Sequence, residues 1–404
     1  DTVMASTYSK PQVHKLMVQS NHPKQQSDNM TDSQSQTLDQ VTHRRRGCGL
    51  IGYNKDASAG GYTLFAPATG NGMVFLIDME GSLTHTWQMP YPPGRHAVLL
   101  PNGNLGYNGR HPDSPNIYAP WALWHGGAFI EATPEGKIVW EHTDLTHHHD
   151  AQWLRNGHIL YGAVEQMPDN FARKVMGGHT KNINQNNGMY GDVVKEVDRN
   201  GKVVWLWRSW ENLTIADFPI HPDFERTHWP YINGVWLTRG DIVLMSLRVT
   251  SGIIGVSKTS GKVVLHIPKQ VVSHQHSPME LDNGNILVFD NGNFRSQEAI
   301  QYSRVIEYNP KTNNIDWEYV DPVSPSFYSA YQGAAQRLSN GNTHITDSVT
   351  GRLFEVTTAG EVVWEYIVPY FAEYKDPSIK EYITGYHNSV FRSYRYTSAE
   401  IPWL

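Results

Sequence analysis

From Gly61 onward the chain is a succession of short apolar runs, alternating hydrophobic and polar positions, separated by turn residues. Two phrases recur. The first is a turn followed by a strand, ending in Trp in most copies: EGSLTHTW (80–87), EGKIVWEH (135–142), NGKVVWLW (200–207), SGKVVLHI (260–267), TNNIDWEY (312–319) and AGEVVWEY (359–366). The second precedes most of these and turns on Asn-Gly or Arg-Gly: LPNGNL (100–105), LRNGHIL (154–160), LTRGDIV (237–243), LDNGNIL (281–287) and LSNGNTH (338–344). A period of two puts alternate side chains on one buried face of a strand. The Gly corners supply the positive φ that tight hairpins require. The Gly of the first phrase recurs as Gly81, Gly136, Gly201, Gly261 and Gly360, with a degenerate copy near Asn313. A period of roughly 47 to 65 residues, long enough for four short strands, is the signature of propeller blades. Helical solenoids are excluded by the Val/Ile/Trp-rich strands. Six copies predict an all-β fold, a six-bladed β-propeller.

Residues 1–46 have another character. They are polar, rich in Gln, Ser, Asn and Thr, and carry neither strand nor helix period, which predicts a flexible N-terminal tail. MTDSQSQ at 30–36 reads like the start of a chain in its own right. Residues 47–404 are expected to be one domain, because a blade buries its faces only against its neighbours. A ring of blades must also close, and HNSVFRSYRY (387–396) reads as a strand that joins the first blade's sheet.

Composition agrees with a turn-dense β protein: 34 Gly, 23 Pro, 13 Trp and 21 Tyr among 404 residues. A net charge of −6, with HRRRG (43–47) as the one basic cluster, gives no support to nucleic-acid binding. No apolar run approaches the ~20 residues that span a bilayer, so no membrane segment is expected. Cys48 is the single cysteine, so no intrachain disulfide can form. Compartment and oligomeric state stay open.

The candidate chemistry lies just ahead of the second phrase. In SHQHSPMELDNGN (273–285), His276 stands seven residues before Asn283, and in HHHDAQWLRNGH (147–158) His149 stands seven before Asn156. Equivalent positions on innermost strands converge near the axis, where propellers build their sites. Imidazole there suits proton transfer, nucleophilic attack or metal ligation at neutral pH. His96 falls one residue out of this phase. Gly333 takes the place in the LSNGNTH copy, where a missing side chain would leave room for a ligand. The LTRGDIV copy puts Ile232 there, with Tyr231 and His228 just upstream. Arg248 ends an otherwise apolar strand and must find an anion or a carboxylate. Arg295 and Arg304 carry the same requirement. His125 in WHGGAF, His148 beside His149, and His274 complete a set of candidate substrate-binding residues. No phosphate loop, dinucleotide fingerprint, HExxH or CxxC motif competes.

At this point GYTLFAP, LIDMEGSLTHTW, HHHDAQWLRNGHIL, HQHSPMELDNGNILVFDNG, SRVIEYNP and GRLFEVTTAGEVVWEY resemble the aryl-sulfate sulfotransferase family, of the phosphoadenosine-independent type. The resemblance runs in order from about residue 47 to 404. It implies a six-bladed propeller that moves a sulfuryl group from one phenolic ester to another phenol through a sulfated histidine. It implies His276 as nucleophile, with His149 and Arg248 as sulfate-binding and acid/base partners, a small aromatic substrate and no cofactor. One motif departs. Where the family has Trp, any residue, then His shortly before Asn, this chain reads HWPYINGV (228–235), with Tyr231 in the place of that His. Two other readings therefore stand beside sulfuryl transfer. One is a lyase in which Tyr231 and a histidine exchange protons while Arg248 binds an acidic substrate. The other is a divalent metal held by His125, His148, His149, His228, His274, His276 and His387.

Overall fold

The computed structural model describes residues 47–119, 121–180, 188–296 and 298–404. The predicted tail, residues 1–46, lies outside them. The described chain folds as six blades, each with four antiparallel strands from innermost to outermost, and a separate two-stranded parallel pair, Gly177–His179 with Ile220–Glu225. The second blade runs Pro93–Leu99, Leu105–Arg110, Gly127–Ala132, Ile138–Thr143, and the third His147–Trp153, Ile159–Gln166, Tyr190–Val197, Val203–Arg208. The fourth begins at Ile232–Leu237, the fifth at His276–Glu280 and the sixth at Ala334–Arg337.

Both chain ends close the ring. Val390–Tyr396 is the innermost strand of the first blade, pairing with Tyr62–Pro67, as the sequence predicts. Gly49–Tyr53 adds a fifth strand to the outer edge of the sixth blade, against Val362–Ile367. The first and last blades thus each hold a strand from the other end of the chain.

The recurring Trp has a physical reason beyond filling space. Its indole N–H donates to a backbone carbonyl in the outer part of the next blade. Trp87 reaches Thr133 O at 3.1 Å, Trp140 reaches Arg199 O at 2.8 Å, and Trp205 reaches Lys258 O at 3.1 Å. Trp317 reaches Thr358 O at 2.9 Å, and Trp364 returns to Met79 O at 2.8 Å, completing the circuit. The fourth blade has Leu265 in this place and lacks the staple. There the sheets meet through apolar packing of Leu244, Ile253 and Ile267 on Ile286, Val288 and Ile306.

On the axis the innermost strands meet in a buried polar plug. Arg392 of the first blade donates to Asp150 Oδ2 of the third at 3.0 Å and to Ser277 Oγ of the fifth at 2.8 Å. Val235 N of the fourth also donates to Asp150 Oδ2, at 3.1 Å, and Ser277 Oγ donates to Gly333 O of the sixth at 2.9 Å. His96 of the second lies 3.8 Å from Asp150 Oδ1. Five blades share one hydrogen-bonded network, and the His96 ring of the second packs beside it.

Candidate functional site

The innermost strands start with irregular backbone. His149, Tyr231, Ser277 and Gln332 all have positive φ, at 56°, 72°, 53° and 61°. The ladders there slip register, between Ile232 and Gly234 and between His276 and Met279 for example. Non-Gly residues in this region are strained, and surrounding structure must hold them. The effect is to turn successive side chains toward the axis at the strand mouths.

A cavity of about 930 Å³ opens there, lined by Arg95, His149, Tyr231, Arg248 and His276. Its walls come from inserted loops that do not repeat: Trp124 from the second blade, Phe224 ahead of the fourth, Tyr331 ahead of the sixth, and Tyr374, Ile379 and Tyr382 from the segment before the closing strand. The lining thus combines two guanidiniums and several imidazoles with aromatic walls, and Asp223 and Glu225 also border it.

Arg95 was hidden by its neighbour. It stands seven residues before Asn102, in the phase of His149 and His276, and attention to histidine selects His96 instead, whose ring joins the axial plug. Arg95 is buried, donates from Nη2 to Leu123 O at 3.0 Å, and its Nε has no partner among the described residues. Burial, with Arg110 nearby, lowers its pKa to about 9. Arg248 lies over the rings of Phe224 and Tyr231, 5.0 and 5.7 Å from their centroids. Burial lowers its pKa too. Among the described residues neither guanidinium has a carboxylate within ion-pair distance. A pair of half-desolvated cations on one cavity is a site for an anion.

His276 is oriented by Asn291. The Asn291 amide donates to Ser329 O and Gln332 O, both at 2.7 Å, which turns its Oδ1 toward His276 Nδ1 at 2.7 Å. The ring therefore carries its hydrogen on Nδ1 and its lone pair on Nε2, where Gln332 N–H donates at 3.1 Å. Burial, then Arg248, lowers its pKa to about 3, so the imidazole is neutral at neutral pH.

His149 is held from the other side. Its Nδ1 is 2.8 Å from His148 Nδ1, and His148 Nε2 is 3.0 Å from Asp192 Oδ1. That last contact is bent away from the ring N–H direction. His228 Nε2 donates to the same oxygen at 2.9 Å, while Tyr118 O–H meets His228 Nδ1 at 2.7 Å. Asp192 Oδ2 accepts Tyr231 N at 2.6 Å and Ile232 N at 3.0 Å. Burial opposes ionisation of Asp192, but His228 and His148 hold its pKa at about 2. Burial and Arg95 keep His149 well below its usual range. Tyr231 sits among Trp124, His149 and His228, and burial raises its pKa far above that of a free phenol, so it is a donor and not a base.

The remaining sequence candidates fall elsewhere. His148 and His228 are fully buried behind His149 and do not line this cavity. His125 lines a second cavity of about 580 Å³ with Arg110 and Lys375, divided from the first by Tyr374 and Ile379. His274 is boxed by His221, Phe224 and Phe294, off the cavity. Arg295 and Arg304 are corrected to structural roles, since both are spent on Asp290, at 3.0 and 2.9 Å. Arg304 also pairs with Glu318. The expected room at Gly333 is taken as well. A Cβ there would lie 2.5 Å from the Phe289 ring, so Gly is required by packing and its φ of 105°. His387 edges the cavity with its Nε2 on Thr384 O. Of Trp121, Trp124 and Trp229, the aromatic residues that the sequence offers for stacking on a phenol ring, Trp124 lines the cavity, whereas Asp192, Asn291, Phe224, Tyr331, Tyr374 and Tyr382 carry no repeat signal and were invisible to sequence reasoning.

For a metal, His148, Asp192 and His228 are the set among the described residues whose ligand atoms lie within 4.8 Å of one another. Asp192 already takes up contacts from both imidazoles and two backbone N–H groups, so these atoms also form a self-contained polar cluster. His276, His274, His125 and His387 do not join it.

The arylsulfotransferase (ASST) family model matches residues 131–270 and 266–395. No curated protein matches the chain. Among solved structures it is similar to a protein of unknown function from Bacteroides caccae, 13% identical over 76% of this chain and 93% of that one, TM-score 0.49. It is also similar to a streptogramin B lyase, 12% identical over 79% and 82%, TM-score 0.43. A third is BamB from Moraxella catarrhalis, 11% identical over 80% and 76%, TM-score 0.36. Likenesses this distant carry no functional information.

Proposed function

The chain belongs to the arylsulfotransferase family, and on that footing we propose that it moves a sulfuryl group from an aryl sulfate to a phenolic acceptor through a sulfated His276. The observation that carries this reading is the convergence, on one aromatic-walled cavity, of a neutral, oriented imidazole and two guanidiniums that have no carboxylate partner among the described residues. A sulfate monoester offers three peripheral oxygens, and fixed cations stabilise the charge on them as sulfur transfers. Arg248 and Arg95 are the donors for those oxygens. His276 Nε2 attacks sulfur, the N–S bond forms, and the ester O–S bond breaks to release the phenolate. In the second half the acceptor oxygen attacks the same sulfur, the N–S bond breaks, and His276 returns with its lone pair. The Nε2 lone pair is engaged by Gln332 N–H, so substrate entry has to displace that contact. A group that protonates the leaving phenolate and deprotonates the acceptor is needed, and His149 is across the cavity. The reaction so written uses no cofactor.

Intact-mass measurement after mixing with an aryl sulfate, with no acceptor, tests this. The expected result is one added sulfuryl group on His276, lost again when phenol is supplied. His276→Asn should abolish both adduct and turnover. Turnover without an adduct would exclude the covalent route, and formation of an unsaturated product from an acidic substrate would favour the lyase.

A further inference from the structure

Resting on that reading, we infer that Asp192 acts through His148 as a positioning relay that keeps the Nε2 of His149 an unprotonated acceptor facing the cavity. The inference starts from hydrogen bookkeeping in a sealed cluster. His148 Nε2 lies 3.0 Å from a carboxylate oxygen of Asp192. Bent or not, that nitrogen must carry a hydrogen, because a lone pair at this distance from a carboxylate oxygen is repelled. A neutral imidazole has one hydrogen, so His148 Nδ1 carries a lone pair. It faces His149 Nδ1 at 2.8 Å, which must then be the donor. The His149 hydrogen is thereby fixed on Nδ1, and Nε2 is left with a lone pair at the cavity.

The surroundings defend this arrangement. Asp192 is fully buried, and its other oxygen is pinned by the backbone N–H groups of Tyr231 and Ile232, so it cannot turn away. His228 supplies the second imidazole on the same oxygen and is itself backed by Tyr118. When the acceptor phenol enters, its O–H donates to His149 Nε2. As the oxygen–sulfur bond forms, the O–H proton passes to Nε2, and the resulting imidazolium keeps its Nδ1–H on His148. Its positive charge lies one imidazole away from Asp192. The imidazolium then gives this proton to the phenolate released from the next donor, or to water, which restores the unprotonated Nε2; in a first turnover the phenolate leaves as the anion.

Asp192→Asn inverts the relay with little change in shape. The Asn oxygen is retained by the two backbone donors, so its NH₂ faces the histidines. His148 must then carry its hydrogen on Nδ1, His149 Nδ1 becomes the acceptor, and His149 Nε2 becomes a donor. A phenol with pKa of ~10 should then transfer about 10²–10⁴-fold more slowly. An acceptor already ionised at the assay pH, given with a nitrophenyl sulfate whose leaving group needs no proton, should keep near the wild-type rate. Equal loss with both acceptors would overturn the relay, as would full activity with both. So would wild-type turnover that is abolished by a chelator and restored by a divalent metal, because Asp192 would then be a ligand. Nitrogen-15 shifts of the wild-type imidazoles give a measurement independent of any variant. His149 should read as the Nδ1–H form, and the Nε2–H form would reject the inference. If the wild type forms no His276 adduct and transfers nothing, the functional reading fails, while the NMR result still judges the relay.

Discussion

At the scale of single residues the site is built from charge that has been denied its ordinary partner. Arg95 and Arg248 are held by carbonyl and aromatic contacts in place of carboxylates, which leaves their attraction for an incoming anion intact. Arg95→Gln should therefore reduce kcat/KM for the aryl sulfate by about 10²–10³-fold, the usual cost of removing one preorganised donor. The KM of the uncharged phenol should barely move. An unchanged kcat/KM would assign Arg95 to packing under the Trp124 loop. The same residue marks how far sequence reading reaches. The repeat phase contained it, seven residues before its corner like His149 and His276, yet only the choice of histidine as chemically interesting decided which neighbour was picked. Arg295 and Arg304 mark the opposite limit, because a sequence leaves open whether such an arginine meets an anion or a carboxylate and does not display that Asp290 lies between them.

At the scale of elements, the strands that repeat were legible and the loops that do not were opaque. Every blade must place the same corner and the same Trp to meet its neighbour, so the phrase reappears in the chain. The cavity walls occur once each, and nothing in Phe224, Tyr374 or Tyr382 announces that they face one space. The closing strand is the element most open to test. Arg392, buried on Val390–Tyr396, ties the first blade to Asp150 and Ser277 across the axis. Arg392→Ala leaves Asp150 as an unpaired buried charge, which destabilises by about 3–5 kcal/mol. Chemical denaturation of the variant checks this. Adding Asp150→Asn should recover part of the loss, since the uncompensated charge is then removed. A single variant as stable as wild type would mean that the plug does not contribute to closure.

At the scale of the whole molecule, the fold stores several neutral imidazoles. His96, His147, His149, His276 and His344 are each nearly or fully buried, and burial is the leading reason each has its pKa lowered, to about 3 for His147 and His276. In the unfolded chain each titrates near ~6.5. Below that value the unfolded state binds protons that the folded state refuses, so stability is complete above about pH 6.5 and is lost as pH falls toward the folded values. Each such group contributes ~1.4 kcal/mol per pH unit in that window. Carboxylates with depressed pKa, such as Asp192 at about 2, act in the same direction but only once the pH falls below ~4. The interval from pH 6.5 to 5 therefore reads mainly the histidines, opposed in part by Asp150 and Asp347, whose burial raises their pKa. Denaturant midpoints at constant ionic strength should be level from pH 8 to 7 and then fall with a slope corresponding to several protons taken up on unfolding. Replacing His344, which is remote from the cavity lining and bonded to Ser393 Oγ at 2.8 Å, with Gln should lower that slope by up to one proton and leave turnover intact. A midpoint that does not change between pH 7 and 5 would mean these imidazoles take up protons without unfolding. The neutral form that His276 needs for attack would then have to come from a cause other than burial.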